Sequence, residues 1–258
     1  MTERARPVAY GGRLTVAPRW PGQGAAVALA AAVAVVLVPI PAVAGVGDEA
    51  LILRCGKPTL NKVALTFDDG PTRRFTPRVL QILEREKVKA TFFVLGEMAR
   101  REPDLVKRIH QAGHLLAAHS YSHPKRGSLA EWREEMRRTD EAVRAAGQEL
   151  APYFRPPHGK ITAAVRQAAS ERGYAIVLYT LLSSDWTRPG AEALVRQVVR
   201  VLAPGGVVVL HDGGGERSQT VAALPEIIRG LRQKGLEPVR LDELLGPKPG
   251  LETCARSR

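Results

Sequence analysis

Two aspartates stand side by side in LTFDDGPT, where an apolar run ends and a Gly-Pro turn begins at Asp68 and Asp69. Adjacent carboxylates repel, and burying both is costly unless a cation relieves them. One arrangement that does so gives them separate tasks, one binding a cation and the other moving a proton. A solvated turn is the plainer alternative, because Asp-Asp-Gly-Pro is good turn chemistry by itself. Other polar side chains of the same kind follow: His119 and His123 in HSYSH, Arg155 in RPPHG, Asp185 and Trp186 in SDW, and His211 in VVLHDGGG. A lone pair of histidines four apart suits a solvated helix face as well as a metal. Joined to a carboxylate, it becomes a set that leaves positions open for water and substrate, as a hydrolytic metal requires.

The elements that must position these residues are legible in the pattern. From residue 62 onward, short apolar runs alternate with helix-like segments, the signature of an α/β fold. Seven strands are expected, at 63–67, 90–95, 114–118, 152–155, 174–180, 206–211 and 236–241. Thr76 and Pro77 open one helix and Pro103 another, which Gly113 closes. Ser128 with Glu131 reads as a capping box for a long charged helix ending at Gly147, and further helices are expected over 162–173, 190–202 and 218–234. The polar candidates fall at the C-terminal ends of strands, where parallel α/β folds build their sites. A closed barrel and an open doubly wound sheet both fit, and the lack of a GxGxxG fingerprint after the first strand favours the barrel. The segment GGGERSQT after His211 lacks the GxxxxGK[ST] phosphate-loop pattern and reads as a flexible turn bordering the groove.

With 258 residues and 45% apolar content, the chain can bury one full core. The formal charge of +12 raises nucleic acid as a partner, but the arginines are scattered and not interleaved with aromatics, so a basic, ordinary surface is the better account. Weak attraction to acidic wall or membrane polymers stays open. Arg4, Arg6, Arg13 and Arg19 precede an apolar run of 14 residues at 25–38, then Pro39, Pro41 and the A-x-A signal Ala42, Val43, Ala44. The run is short of the ~20 residues a spanning helix needs. Residues 1–44 are therefore expected to be a cleaved signal peptide, with a membrane anchor as the alternative, followed by a linker at 45–59, the main domain at 60–245 and a tail at 246–258. Cys55 and Cys254 flank that domain; export would let them form a disulfide, and two unrelated thiols fit equally well.

Five motifs in order, TFDDG, HSYSH, RPPHG, SDW and VLHD, resemble those of the NodB-homology polysaccharide deacetylases, carbohydrate esterase family 4, over about residues 60–245. The resemblance implies a distorted (β/α) barrel of about seven parallel strands whose groove removes acetyl groups from N- or O-acetylated sugars. It implies Asp69, His119 and His123 as ligands of a divalent metal, usually zinc in that family, with cobalt or nickel as alternatives. Asp68 becomes the general base, oriented by Arg155, and His211 the general acid, positioned by Asp185. The oxyanion would be met by the metal and the backbone N–H of His158. Pro157, His158, Trp186, Val209 and Leu210 would bind the substrate, the last three walling the acetyl methyl group. Taken singly, Trp186 would suit a core, Arg155 a surface ion pair and His211 a satisfied buried histidine.

Three positions depart from the family pattern: Leu182 where a first Asp is common, His158 where Tyr is frequent, and Ala118 where Asn is common before the first His. The expected substrate is an acetylated polysaccharide or oligosaccharide such as peptidoglycan, chitin oligosaccharide or xylan, with neither nucleic acid nor an obligate protein partner. A sugar-binding relative without turnover would not need both an acid and a base. A cyclic-amide hydrolase of the same fold sits poorly with export, which points to a secreted or wall-associated protein. N-terminal sequencing of the exported protein should begin at Gly45; recovery of only full-length chain in the membrane fraction would establish the anchor instead.

Overall fold

Nine strands, all parallel, make up one sheet: β1 Ile52–Leu53, β2 Lys62–Asp68, β3 Thr91–Val94, β4 Leu115–Ala118, β5 Tyr153–Phe154, β6 Ala175–Val177, β7 Leu181–Leu182, β8 Val207–His211 and β9 Glu237–Val239. The computed structural model describes residues 50–246. The expected leader and most of the expected tail, with Cys254, lie outside the described residues; Cys55 is buried. The strand order is β1-β6-β5-β4-β3-β2-β8-β7, with β9 beside the first half of β2.

All seven expected strands are present; the two added ones, β1 and β7, are two residues each, as short as β5. The segment expected as one strand over 174–180 is a strand only over Ala175–Val177, and β7 lies just beyond its end. That strand, β6, pairs with β5 and β1; the chain then crosses to β7, which pairs with β8. During the crossing, Leu178 N–H donates to the Leu53 carbonyl at 2.7 Å and Thr180 N–H to the Val207 carbonyl at 3.0 Å, so the chain itself spans the gap between the two sheet edges. No ladder joins β1 to β7 among the described residues. The sheet curls without closing, which is the distortion of the expected barrel.

Among the described residues eight α-helices accompany the strands: α1 Thr76–Arg85, α2 Gly96–Arg101, α3 Pro103–Gln111, α4 Leu129–Ala145, α5 Ala163–Glu171, α6 Ala191–Val201, α7 Ser218–Gln233 and α8 Leu241–Leu245. The capping box of α4 is formed on both sides, with Ser128 N–H donating to Glu131 Oε2 at 2.7 Å and Glu131 N–H to Ser128 Oγ at 3.3 Å. Helices α2 and α8, of six and five residues, are the two without a sequence signal.

Side chains alternate across a strand, and both faces of this sheet are covered, so the strands read as continuous apolar runs. Val63, Leu65 and Phe67 of β2 join Val208 and Leu210 of β8 in the core against Leu224, Ile227 and Ile228 of α7. Ala64, Thr66 and Asp68 occupy the inner face with their register partners Val207, Val209 and His211. The register levels the strand ends: Asp68 pairs with His211 and Phe93, Val94 with Ala118, and Ala118 with Phe154. The ladder continues one residue further, His119 N–H donating to the Val94 carbonyl at 3.0 Å and Arg155 N–H to the Ala118 carbonyl at 2.9 Å. Polar groups from separate strands therefore emerge at one height.

Leu65 is fully buried on the helix-facing side. Leu65→Ala should lower the unfolding free energy by about 2–5 kcal/mol in a denaturant titration, while activity per folded molecule stays at the parent level because the side chain points away from the site.

Candidate active site

The turn after β2 divides the two aspartates. Asp69 takes a left-handed backbone, φ 70°, and its Oδ1 lies 3.5 Å from Nε2 of both His119 and His123. Among the described residues these three are the one group of candidate ligands whose donor atoms lie within 4.8 Å of one another. The histidines are on a loop after β4, not on a helix; the chain reverses at Ser120 (φ 72°) and His123 (φ 62°). Glu135 of α4 shapes that loop by accepting the Tyr121 and Ser122 N–H groups at 2.8 Å each and the Ser122 hydroxyl at 2.7 Å. No sequence signal marks Glu135 as part of the site, because it acts across the fold.

His119 Nδ1 lies 2.8 Å from the Arg155 carbonyl, which only accepts, so Nδ1 carries the proton and Nε2 keeps its lone pair toward Asp69. Burial drives the His119 pKa down to about 3 against the opposing charge of Asp69, and the ring is neutral. A backbone carbonyl thus supplies the orienting contact that Ala118 cannot. Asp69 Oδ1 is buried without a hydrogen-bond partner, a costly state that a cation would relieve. Two imidazoles and a carboxylate, with an orphaned oxygen among them, fit a divalent metal.

Asp68 divides its oxygens: Oδ2 stays 3.9 Å from His119 Nε2, and the other turns to Arg155. Its Oδ1 accepts Arg155 Nη1 at 2.7 Å, and both side chains are buried. The guanidinium also donates to Thr66 Oγ1 at 2.8 Å and to the Val177 and Leu178 carbonyls at 3.3 Å each, and lies 3.9 Å from the Phe93 ring centre. Arg155 is 1% exposed, so it is not a surface ion pair. Burial lowers its pKa, and the charge and hydrogen bond of Asp68 oppose that shift.

The third cluster ends β8. His211 Nδ1 donates to Asp185 Oδ1 at 2.6 Å, while Asp185 Oδ2 accepts the His211 N–H at 2.9 Å and the Thr220 hydroxyl at 2.7 Å. Burial disfavours the imidazolium, but the hydrogen bond and charge of Asp185 outweigh it, and the His211 pKa is raised. Burial pushes the Asp185 carboxyl up, but the bonds from His211 and Thr220 prevail and leave it below its ordinary value. Asp185 thus holds the ring without a second aspartate. Leu182, at the position where one is common, lines the cleft instead.

These groups share a cleft of about 480 Å³. Left-handed residues Ser184 and Arg188 flank the 3₁₀ turn of Asp185–Thr187, which sends Asp185 inward and leaves Trp186 41% exposed. Trp186 packs edge-on against His211, rings 5.4 Å apart, and lines the cleft; it is not core. His158 also lines the cleft and packs edge-on against His123 at 4.5 Å. Two expected lining residues are displaced. Leu210 lies in the core, because it alternates with Val209 and His211, and only those two reach the cleft. Pro156 and Pro157 are both buried, and of the two only Pro156 lines the cleft. Tyr179, on the crossing between β6 and β7, joins the wall without having been marked by any motif. The loop after His211 borders the cleft as expected but is tied down: Arg217, 4% exposed, donates to the carbonyls of Gly213, Gly214 and Glu216 at 2.8–2.9 Å.

The chain matches the family model for polysaccharide deacetylase over residues 56–177. It is 40% identical over 186 residues to a peptidoglycan-N-acetylglucosamine deacetylase of Bacillus cereus, covering 71% of this chain and 87% of the relative. It is 38% identical over 196 residues to a chitooligosaccharide deacetylase of a Bradyrhizobium species, covering 70% and 90%. The crystal structure of the Bc1960 peptidoglycan N-acetylglucosamine deacetylase superimposes with a TM-score of 0.71 at 36% identity, over 75% of this chain and 92% of that one.

The separation of the two carboxylates is testable by zinc affinity, measured by chelator competition. Changes in groups that merely orient ligands cost about 10–100-fold in affinity, so Asp69→Asn and His119→Ala, which remove ligands, should cost at least as much. Asp68→Asn should keep the parent affinity.

Proposed function

We infer the reaction from one premise, that the chain belongs to the polysaccharide deacetylase family and is a carbohydrate deacetylase: it hydrolyses the N-acetyl groups of a glycan containing N-acetylglucosamine, with Asp68 as base and His211 as acid. One observation carries this reading. Asp68 and His211 are register partners on adjacent strands, and each is held by a buried residue of opposite charge, Arg155 and Asp185.

Asp69, His119 and His123 would hold a divalent cation, zinc by preference and cobalt or nickel in its place, which when bound would supply Lewis acidity toward the acetyl carbonyl and toward water. Asp68, held in place by Arg155, accepts the proton of the attacking water as the C–O bond forms. His211 enters charged and gives its Nε2 proton to the sugar nitrogen as the C–N bond breaks, so that acetate and a free amine leave. The His158 N–H donates to the oxyanion. Trp186, Val209 and Leu182 enclose the methyl group, and the edge of the exposed indole offers a sugar face a surface to lie on. The named activities of the relatives support peptidoglycan or chitin oligosaccharide as substrate. The basic leader, the apolar run and Ala42-Val43-Ala44 support export to the wall.

Acetate release from peptidoglycan, chitin oligosaccharide and acetylated xylan tests the substrate; release from xylan alone would overturn the N-acetyl assignment. Asp68→Asn should slow release by about 10²–10⁴-fold without loss of metal. The acid is tested by pH. The essential proton of His211 is lost as pH rises through its raised pKa, and this loss sets the basic limb of kcat/KM. Asp185→Asn removes the main group that raises that pKa and leaves burial, which lowers it, opposed only by the weaker charges of Asp68 and Asp69, so the basic limb should move to lower pH. A limb that does not move would assign it to another group.

A further inference from the structure

We propose that Asp212 is a positioning residue for Asp69, acting with the glycine loop that it opens as a template for the turn that carries this ligand. The inference rests on the assignment of Asp69 to the metal.

An L-residue at φ 70° stays there only where its surroundings enforce it, and the contacts around Asp69 show what does so. A Cβ on Gly213 would lie 2.0 Å from the Asp69 carbonyl oxygen, and one on Gly214 would lie 2.4 Å from Asp69 Oδ2. On the other side of the interface, a Cβ on Gly70 would lie 2.3 Å from both carboxyl oxygens of Asp212. The two loops therefore meet with room for hydrogen atoms only. Asp212 fastens the ligand turn on both sides of Asp69. Its N–H donates to the Asp68 carbonyl at 3.2 Å, its carbonyl accepts the Thr72 hydroxyl at 2.7 Å, and its Oδ2 accepts the Thr76 hydroxyl at 2.5 Å. Thr76 Oγ1 in turn accepts the Thr72 N–H at 2.7 Å, which draws the start of α1 into the same set. Arg217 secures the far end of the loop through its bonds to Gly213 and Gly214.

A purely structural stitch would not need a second carboxyl oxygen, yet Asp212 Oδ1 is buried without a partner, beside two further aspartates. An arrangement that costly is of the kind held at functional sites. It also joins the two halves of the chemistry, since Asp212 directly follows His211 and fixes the backbone that presents Asp69.

The test is zinc affinity by chelator competition, with the cobalt absorption spectrum as a report on ligand geometry and unfolding of the metal-free protein as a control. Asp212→Ala should weaken zinc binding by about 10–100-fold and alter the cobalt spectrum while the metal-free protein stays folded. Asp212→Asn, which keeps the shape and the acceptor for Thr76, should restore most of the affinity. If Asp212→Ala does not fold, Gly213→Ala takes its place, with the same expected loss. Parent affinity and an unchanged cobalt spectrum in the folded variants would overturn the template while leaving the metal assignment intact. A parent chain that binds no zinc would overturn the metal assignment, and the template with it.

Discussion

The guanidinium of Arg155 is the contact on which the rest of the site depends. It is among the largest fully buried side chains of the described residues, and a charge in that position persists only if it is paired and its donors are occupied. Asp68 provides the charge, and Thr66, Val177 and Leu178 provide further acceptors. Removing one partner of such a pair costs about 3–5 kcal/mol, so the proposed base, Asp68, is built into the stability of the fold. The same residue serves the metal set by a different atom, because its backbone carbonyl fixes the tautomer of His119. One arginine thereby ties together β2, the start of the RPPHG turn, the crossing between β6 and β7, and the histidine loop.

Parallel register supplies the second constraint. Strands whose ends are level bring Asp68, His119, Arg155 and His211 to one height, although 143 positions of sequence separate the first from the last. The half-open sheet adds to this. Because no ladder closes β1 onto β7, the crossing residues Leu178 and Tyr179 can turn inward, one giving its carbonyl to Arg155 and the other lining the cleft.

Environment then gives similar groups different properties. Asp185 is buried but accepts three hydrogen bonds and stays ionised, which holds a proton on His211. His119 is equally buried, but its Nδ1 faces a carbonyl and no carboxylate, and it is neutral. Asp212 lacks a cationic partner, and burial raises its pKa to about 7. The roles proposed for His211, His119 and Asp212 thus follow from which polar group each ring or carboxyl meets, as much as from residue type.

The sequence by itself determined the alternation of strands and helices, seven of the nine described strands, and the residues at their ends, because apolar periodicity and turn chemistry are local properties. It also determined the identity of the polar groups in LTFDDGPT, HSYSH, RPPHG, SDW and VVLHDGGG. What each of those groups touches was decided by tertiary structure. The division of labour between Asp68 and Asp69 depends on a φ of 70° that glycines more than 140 residues away enforce. Leu210 and Pro157 were misplaced in the sequence reading because one residue along a strand or turn reverses the face presented, and the local pattern does not say which face holds the cleft. Asp212 stands in VVLHDGGG without a sign of its role, and Glu135, Tyr179 and Thr220 carried no local signal. They reach the site only because helices and loops distant in sequence pack against the strand ends, and such long-range contacts exist only once the chain has folded.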